Sequence, residues 1–91
     1  MNDSPLMAQI RASLERELTP VSVDIFDDSA RHAGHAGARE GGHFKVNVVS
    51  SVFKGRPQLE RHRLVYAAVA PLMSRGIHAL NIVAQTPEEV S

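Results

Sequence analysis

The chain has no cysteine and no tryptophan, and only 4% of it is aromatic. Without a thiol it can form no disulfide and present no thiolate to a substrate or a metal. Secreted domains of this size often depend on disulfides, so their absence favours a reducing compartment. An excess of charge is missing too, since ten basic and ten acidic residues give a formal net charge of zero. The global basic surplus of a typical nucleic-acid binder is therefore absent, which leaves that role to a local patch. No apolar run reaches the roughly 18 residues of a membrane span. The N-terminal MNDSPLMAQIR lacks the basic start and long apolar core of a signal peptide. The expectation is a cytoplasmic protein with no membrane association. Catalytic equipment is also wanting. There is no activated serine or cysteine arrangement and no glycine-rich phosphate loop before a helix. Asp24, Asp27 and Asp28 fall on a strand end and a loop rather than forming a carboxylate pair on one face. A protein that is not an enzyme is expected.

What is present reads as one small domain over residues 1–91, with residues 1–3 and 90–91 as flexible ends. Ser4-Pro5 is a helix start, an N-cap residue followed by proline at the first helical position. Leu6, Ile10, Leu14 and Leu18 follow at i, i+4 spacing, and Thr19-Pro20 ends the helix. Val21 to Asp27 alternates as a half-buried strand, and His43 to Ser50 alternates again, with Phe44, Val46 and Val48 facing the core. Between them lies Asp28 to Gly42, with four glycines, four alanines, two histidines and no large apolar residue. Long loops in small domains tend to be functional or disordered. Pro57 opens a second helix at its N1 position. Val65, Ala68, Val69 and Leu72 form its apolar stripe, His62 lies at one margin and Arg61 at the other, and Gly76 stops it. Ile77 to Ala84 is a third strand. Strict alternation puts His78 on one face with Leu80 and Ile82, and Ile77, Ala79 and Val83 on the other. Apolar residues on both faces suggest a central strand. Thr86-Pro87-Glu88-Glu89 resembles a capping box for a last helix of barely one turn. The fold class is α+β, in the order α-β-β-α-β(-α). The crossover sets the second and third strands parallel in a mixed three-stranded sheet, with the helices on one face.

HFKVNVVSSVFKGRPQLERHRLVYAAV, followed by IHALNIVAQTPEE, resembles the BolA family over most of the chain, from about Val21 to Glu89. The resemblance implies a class II KH-like domain. It also implies two activities. One is partnership with a monothiol CGFS glutaredoxin, forming heterodimers that can share a [2Fe–2S] cluster in iron–sulfur trafficking or iron regulation. The other is DNA binding as a transcriptional regulator of stress response and morphology. Alone, the chain is expected to be a monomer or a weak homodimer.

By the same resemblance the cluster ligands are His78, in the IHAL segment, and a loop histidine. His32 is placed for it by the family's loop pattern, and His35 is the alternative. Two imidazoles can hold one iron of such a cluster, as in Rieske centres. A chain without cysteine needs its partner, with bound glutathione, to supply the sulfur. Taken without the resemblance, these histidines read as solvated or packed side chains, and no four-ligand zinc spacing is present. His43 reads as an exposed strand residue and His62 as a hydrogen-bonded structural one. For the DNA reading the candidates are Lys54, Arg56, Arg61 and Arg63, although Lys54-Gly55-Arg56-Pro57 lacks the second glycine of a GXXG clamp. The competing reading of these residues is a solvated face that docks an acidic partner.

Overall fold

In a computed structural model, the described residues are 4–28 and 42–90. They form α1 (Pro5–Leu18), β1 (Ser22–Asp27), β2 (Gly42–Val49), a 3-10 turn (Ser51–Phe53), α2 (Gln58–Val69), a 3-10 segment (Ala70–Arg75), β3 (Ile77–Gln85) and α3 (Pro87–Val90). The Ser4 hydroxyl accepts from the Met7 N–H at 3.1 Å, which caps α1 as its sequence anticipates. Thr19 ends α1 in the left-handed region at φ 40°, and its N–H returns to the Glu15 carbonyl. Pro57 turns out to be the N-cap of α2 rather than its first residue. The α-helix changes to 3-10 geometry after Val69, because Pro71 brings no N–H and crowds the carbonyl four residues earlier.

β1 and β2 pair antiparallel, β2 and β3 pair parallel, and the sheet order is β1-β2-β3. One sheet face carries Val23 and Ile25 of β1, Phe44, Val46 and Val48 of β2, and Ile82 and Ala84 of β3. These side chains pack into one core with Ile10, Leu14 and Leu18 of α1, Val65, Ala68 and Val69 of α2, and Leu72. Phe53, fully buried, closes that core below the turn into α2. The central strand is β2. The expectation that β3 is central is corrected: it stands at an edge, with Ala79 and Asn81 exposed and Val83 only half-buried. Its exposure to edge pairing is limited by α2, since the carbonyls of Leu80 and Ala84 accept from Tyr66 and Arg61.

Ser50 ties the layers together at the end of β2. It is fully buried, its hydroxyl donates to the Leu18 carbonyl at 2.7 Å, and its oxygen accepts from the Val52 N–H at 3.2 Å. Its own N–H donates to the Gln85 carbonyl at the end of β3. Ser50→Ala strands the Leu18 carbonyl and the Val52 N–H, at an expected cost of about 1–3 kcal/mol. Chemical denaturation should show a lower midpoint with an unchanged slope. A variant as stable as the wild type would show that this hydroxyl does not join α1 to the sheet.

Candidate functional site

Because β2 and β3 run parallel, both begin at the same end of the sheet, where antiparallel β1 finishes. The Asp28 N–H donates to the His43 carbonyl at 2.7 Å, and the Gly42 N–H donates to the Gly76 carbonyl at 2.6 Å. A Cβ on Gly42 would lie 2.6 Å from Cζ of the Phe44 ring, so the buried ring would have to shift to admit one. Asp28 is thus held at the start of β2, and Gly42 at the residue that precedes β3.

The pairing is irregular at this point. Gly42 lies opposite Ile77 and His43 opposite Ala79, so His78 is an extra residue with no partner on β2. The result is a β-bulge, a device that re-aims a side chain. It breaks the expected alternation. Ile77 turns into the core at 4% exposure, while His78 is exposed instead of sharing the buried face of Ile82. His43, expected to be exposed, is half-buried, and its ring centroid is 5.1 Å from that of His78 with the planes tilted by 54°. Beside this pair opens a cleft of about 420 Å³. Asp28, His43, His62, Tyr66 and Asn81 give it polar walls, and Phe44, Leu80 and Ile82 give it apolar ones. His62 is a half-buried wall of that cleft, and its ring makes no hydrogen bond among the described residues. The Tyr66 hydroxyl donates to the Leu80 carbonyl at 3.3 Å, bracing the edge strand.

His32 and His35 lie outside the described residues. Among the described residues no three or more histidines, aspartates or glutamates are grouped to hold a metal ion. The donors on view are imidazole nitrogens, with His78 exposed and His43 and His62 half-buried. Imidazole nitrogens are among the ligands that iron–sulfur clusters accept.

The basic cluster separates on folding. Arg61 is 6% exposed and faces inward. Its guanidinium makes a two-pronged pair with the Glu89 carboxylate at 2.7 and 3.0 Å, and also donates to the carbonyls of Arg56 at 2.8 Å and Ala84 at 3.1 Å. Arg61 is therefore removed from the phosphate-contact candidates, because its donors are already engaged. Glu89 simultaneously accepts from the Thr86 N–H at 2.9 Å, and its own N–H donates to the Thr86 hydroxyl at 3.3 Å, completing the expected capping box. The Arg61 guanidinium first, then the Thr86 N–H, hold the Glu89 carboxyl down at about 2. Lys54, Arg56 and Arg63 remain exposed, although Arg56 lies 3.4 Å from Glu60 and donates to the Val52 carbonyl.

The BolA family model, described as BolA-like protein, matches residues 14–89. The chain is 43% identical over 88 residues to SufE-like protein 1, chloroplastic/mitochondrial, of Arabidopsis thaliana, covering 90% of this chain and 24% of that one. It superposes on the BolA domain of SufE1 from Arabidopsis thaliana with a TM-score of 0.84 at 42% identity, covering 97% of this chain and 99% of that domain. It is 44% identical over 85 residues to BolA-like protein 1 of Homo sapiens, covering 93% of this chain and 61% of that one. It is 37% identical over 81 residues to the DNA-binding transcriptional regulator BolA of Escherichia coli (strain K12), covering 89% and 75%. The chain thus spans less than two thirds of the first two full-length relatives. No helix among the described residues is long and apolar enough to cross a membrane.

The Arg61–Glu89 pair sets a pH dependence. The folded value of Glu89 lies below its ordinary 4.5, so the pair's stabilisation is complete above that value and is lost as pH falls toward about 2. Glu89→Gln is expected to lower the thermal midpoint at neutral pH and to flatten its acid decline. If the wild-type and Glu89→Gln midpoints stay a constant distance apart across that window, the carboxylate is not the group responsible.

Proposed function

The chain belongs to the BolA family, and from that premise we propose that it is an accessory protein that partners a monothiol CGFS glutaredoxin and shares a [2Fe–2S] cluster with it. His78 supplies one nitrogen and His32 the other, with His35 as the alternative to His32. The observation that carries this reading is the bulge that lifts His78 out of the strand's alternation and leaves it exposed at an end of the sheet. Both residues that flank the segment carrying His32 and His35 are hydrogen-bonded at that same end of the sheet, Asp28 to His43 and Gly42 to Gly76.

When bound, the shared cluster supplies an iron–sulfur centre for transfer or for sensing, its sulfur ligands coming from the glutaredoxin and glutathione. This chain contributes geometry. The β2–β3 ladder fixes the backbone of His78 on both sides of the bulge, and the His43 ring packs against its imidazole. A ligand restrained in this way loses less freedom on binding than one on an unsupported strand end.

The test mixes the protein with a CGFS glutaredoxin, glutathione, iron and sulfide, and compares visible and EPR spectra of the heterodimer. Replacing His78 by alanine should abolish the mixed nitrogen–sulfur signature, and of the two loop variants His32→Ala should weaken it more than His35→Ala. An unchanged spectrum for His78→Ala would remove that residue from the ligand set.

A second reading, a DNA-binding regulator, is favoured by the similarity to the Escherichia coli protein of that name. Its surface would comprise Lys54, Arg56 and Arg63. Three phosphate contacts give a slope of log K against log salt near −2.7, taking about 0.9 per contact. Changing all three to alanine should bring the slope close to zero. A slope that persists in the triple variant would rule out this surface.

A further inference from the structure

We propose that His43 and His78 form a two-imidazole chelate for one divalent transition-metal ion of the zinc type, bound by this chain without any partner. The two residues come from adjacent parallel strands, and the bulge brings the second beside the first. Their ring centroids are 5.1 Å apart. Two imidazoles bound to one tetrahedral ion, with each nitrogen about 2.0–2.1 Å from the metal, hold their centroids roughly 5 Å apart. The observed spacing matches, so both rings lie within reach of one ion.

The surroundings suit such an ion. Neutral imidazole is the commonest side-chain ligand for zinc and is favoured by copper and nickel as well. His78 is exposed, so an ion can reach it from solvent, and the half-buried His43 ring lies against it. The adjoining cleft, which His43 lines, leaves room for coordinated water. Two protein nitrogens leave the remaining positions to water, so the site is an exchangeable one rather than a closed structural one. His78 is common to this chelate and to the proposed cluster ligation, and a bound divalent ion would therefore compete with a glutaredoxin partner. The chelate itself does not depend on that partnership.

The experiment titrates the full chain with Zn2+ alone at neutral pH, using calorimetry and amide NMR, with no glutaredoxin, glutathione or sulfide present. The wild type is expected to bind one equivalent, with the signals of residues near 43 and 78 responding first. His43→Phe keeps a flat ring in place and removes its nitrogens. It and His78→Ala should each weaken binding roughly tenfold or more, since outer-shell partners alone are worth about that. The loop variants His32→Ala and His35→Ala should leave the affinity unchanged. Wild-type affinity in His43→Phe overturns the proposal, as does loss of binding in the loop variants instead. Thermal unfolding checks the fold of each variant, and His43→Gln replaces His43→Phe if the latter does not fold. Because no partner is present, this result stands or falls apart from the spectra of the heterodimer.

Discussion

Parallel strands put like ends together and need a crossover to do it. In this chain the crossover is α2 with its 3-10 extension, and its consequences appear at both ends of the β2–β3 pair. Where the strands finish, Ser50 and Gln85 meet through the backbone, and Ser50 also reaches the end of α1. Just beyond, Arg61 of α2 gathers the Ala84 carbonyl and the Glu89 carboxylate. Where the strands begin, His43 and His78 come side by side. A different pairing of these two strands would dissolve both arrangements at once.

The two ends are chemically unlike. At the finishing end an inward-facing guanidinium is matched to a carboxylate and two carbonyls, so the charge taken from water is answered by directed donors and acceptors. A pair of this kind is weak as an argument for net stability, because desolvation offsets much of the attraction. Its value lies in geometry. It allows one position of α3 against α2 and β3, and it covers part of an edge that would otherwise invite strand pairing. The starting end has no such closure among the described residues. There the sheet presents imidazoles, one of them exposed, beside an open cleft.

Most of the fold was legible because its signals were local. The Ser4-Pro5 cap, the α1 stripe, the alternation of Phe44, Val46 and Val48, and the Thr86–Glu89 capping box all formed where the residues indicated. The departures arose where tertiary contacts outweighed local pattern. β3 looked central because both faces are partly apolar, yet Ala79 and Val83 are small enough to tolerate an edge. Arg61 looked like one cation among four, and only the return of the chain at Glu89 reveals why it is buried. His78 illustrates the limit best. Period-two alternation assigned it to the face of Ile82, and a single inserted residue in the ladder reversed that and sent Ile77 inward. No periodicity argument detects a bulge from one strand alone, because the bulge is a property of the pair.

His43 was available to a closer reading. Once β2 and β3 are taken as parallel, they begin at the same end of the sheet, and each carries a histidine within its first two residues. Topology brings both histidines to one end of the sheet, and the bulge then sets their rings side by side. It also changes what the exposed histidine means. A lone imidazole at a strand start is ordinary surface, whereas one projected by a bulge and packed on a second imidazole is restrained in position. Metal ligation depends on that distinction, since the entropy of ordering a ligand opposes every bond it forms. The basic residues that first stand out in the sequence carry no comparable restraint. Lys54 and Arg63 are solvated, Arg56 is shared with Glu60, and Arg61 belongs to the scaffold. Preorganisation, more than charge, therefore favours the start of β3 as the functional end of the domain.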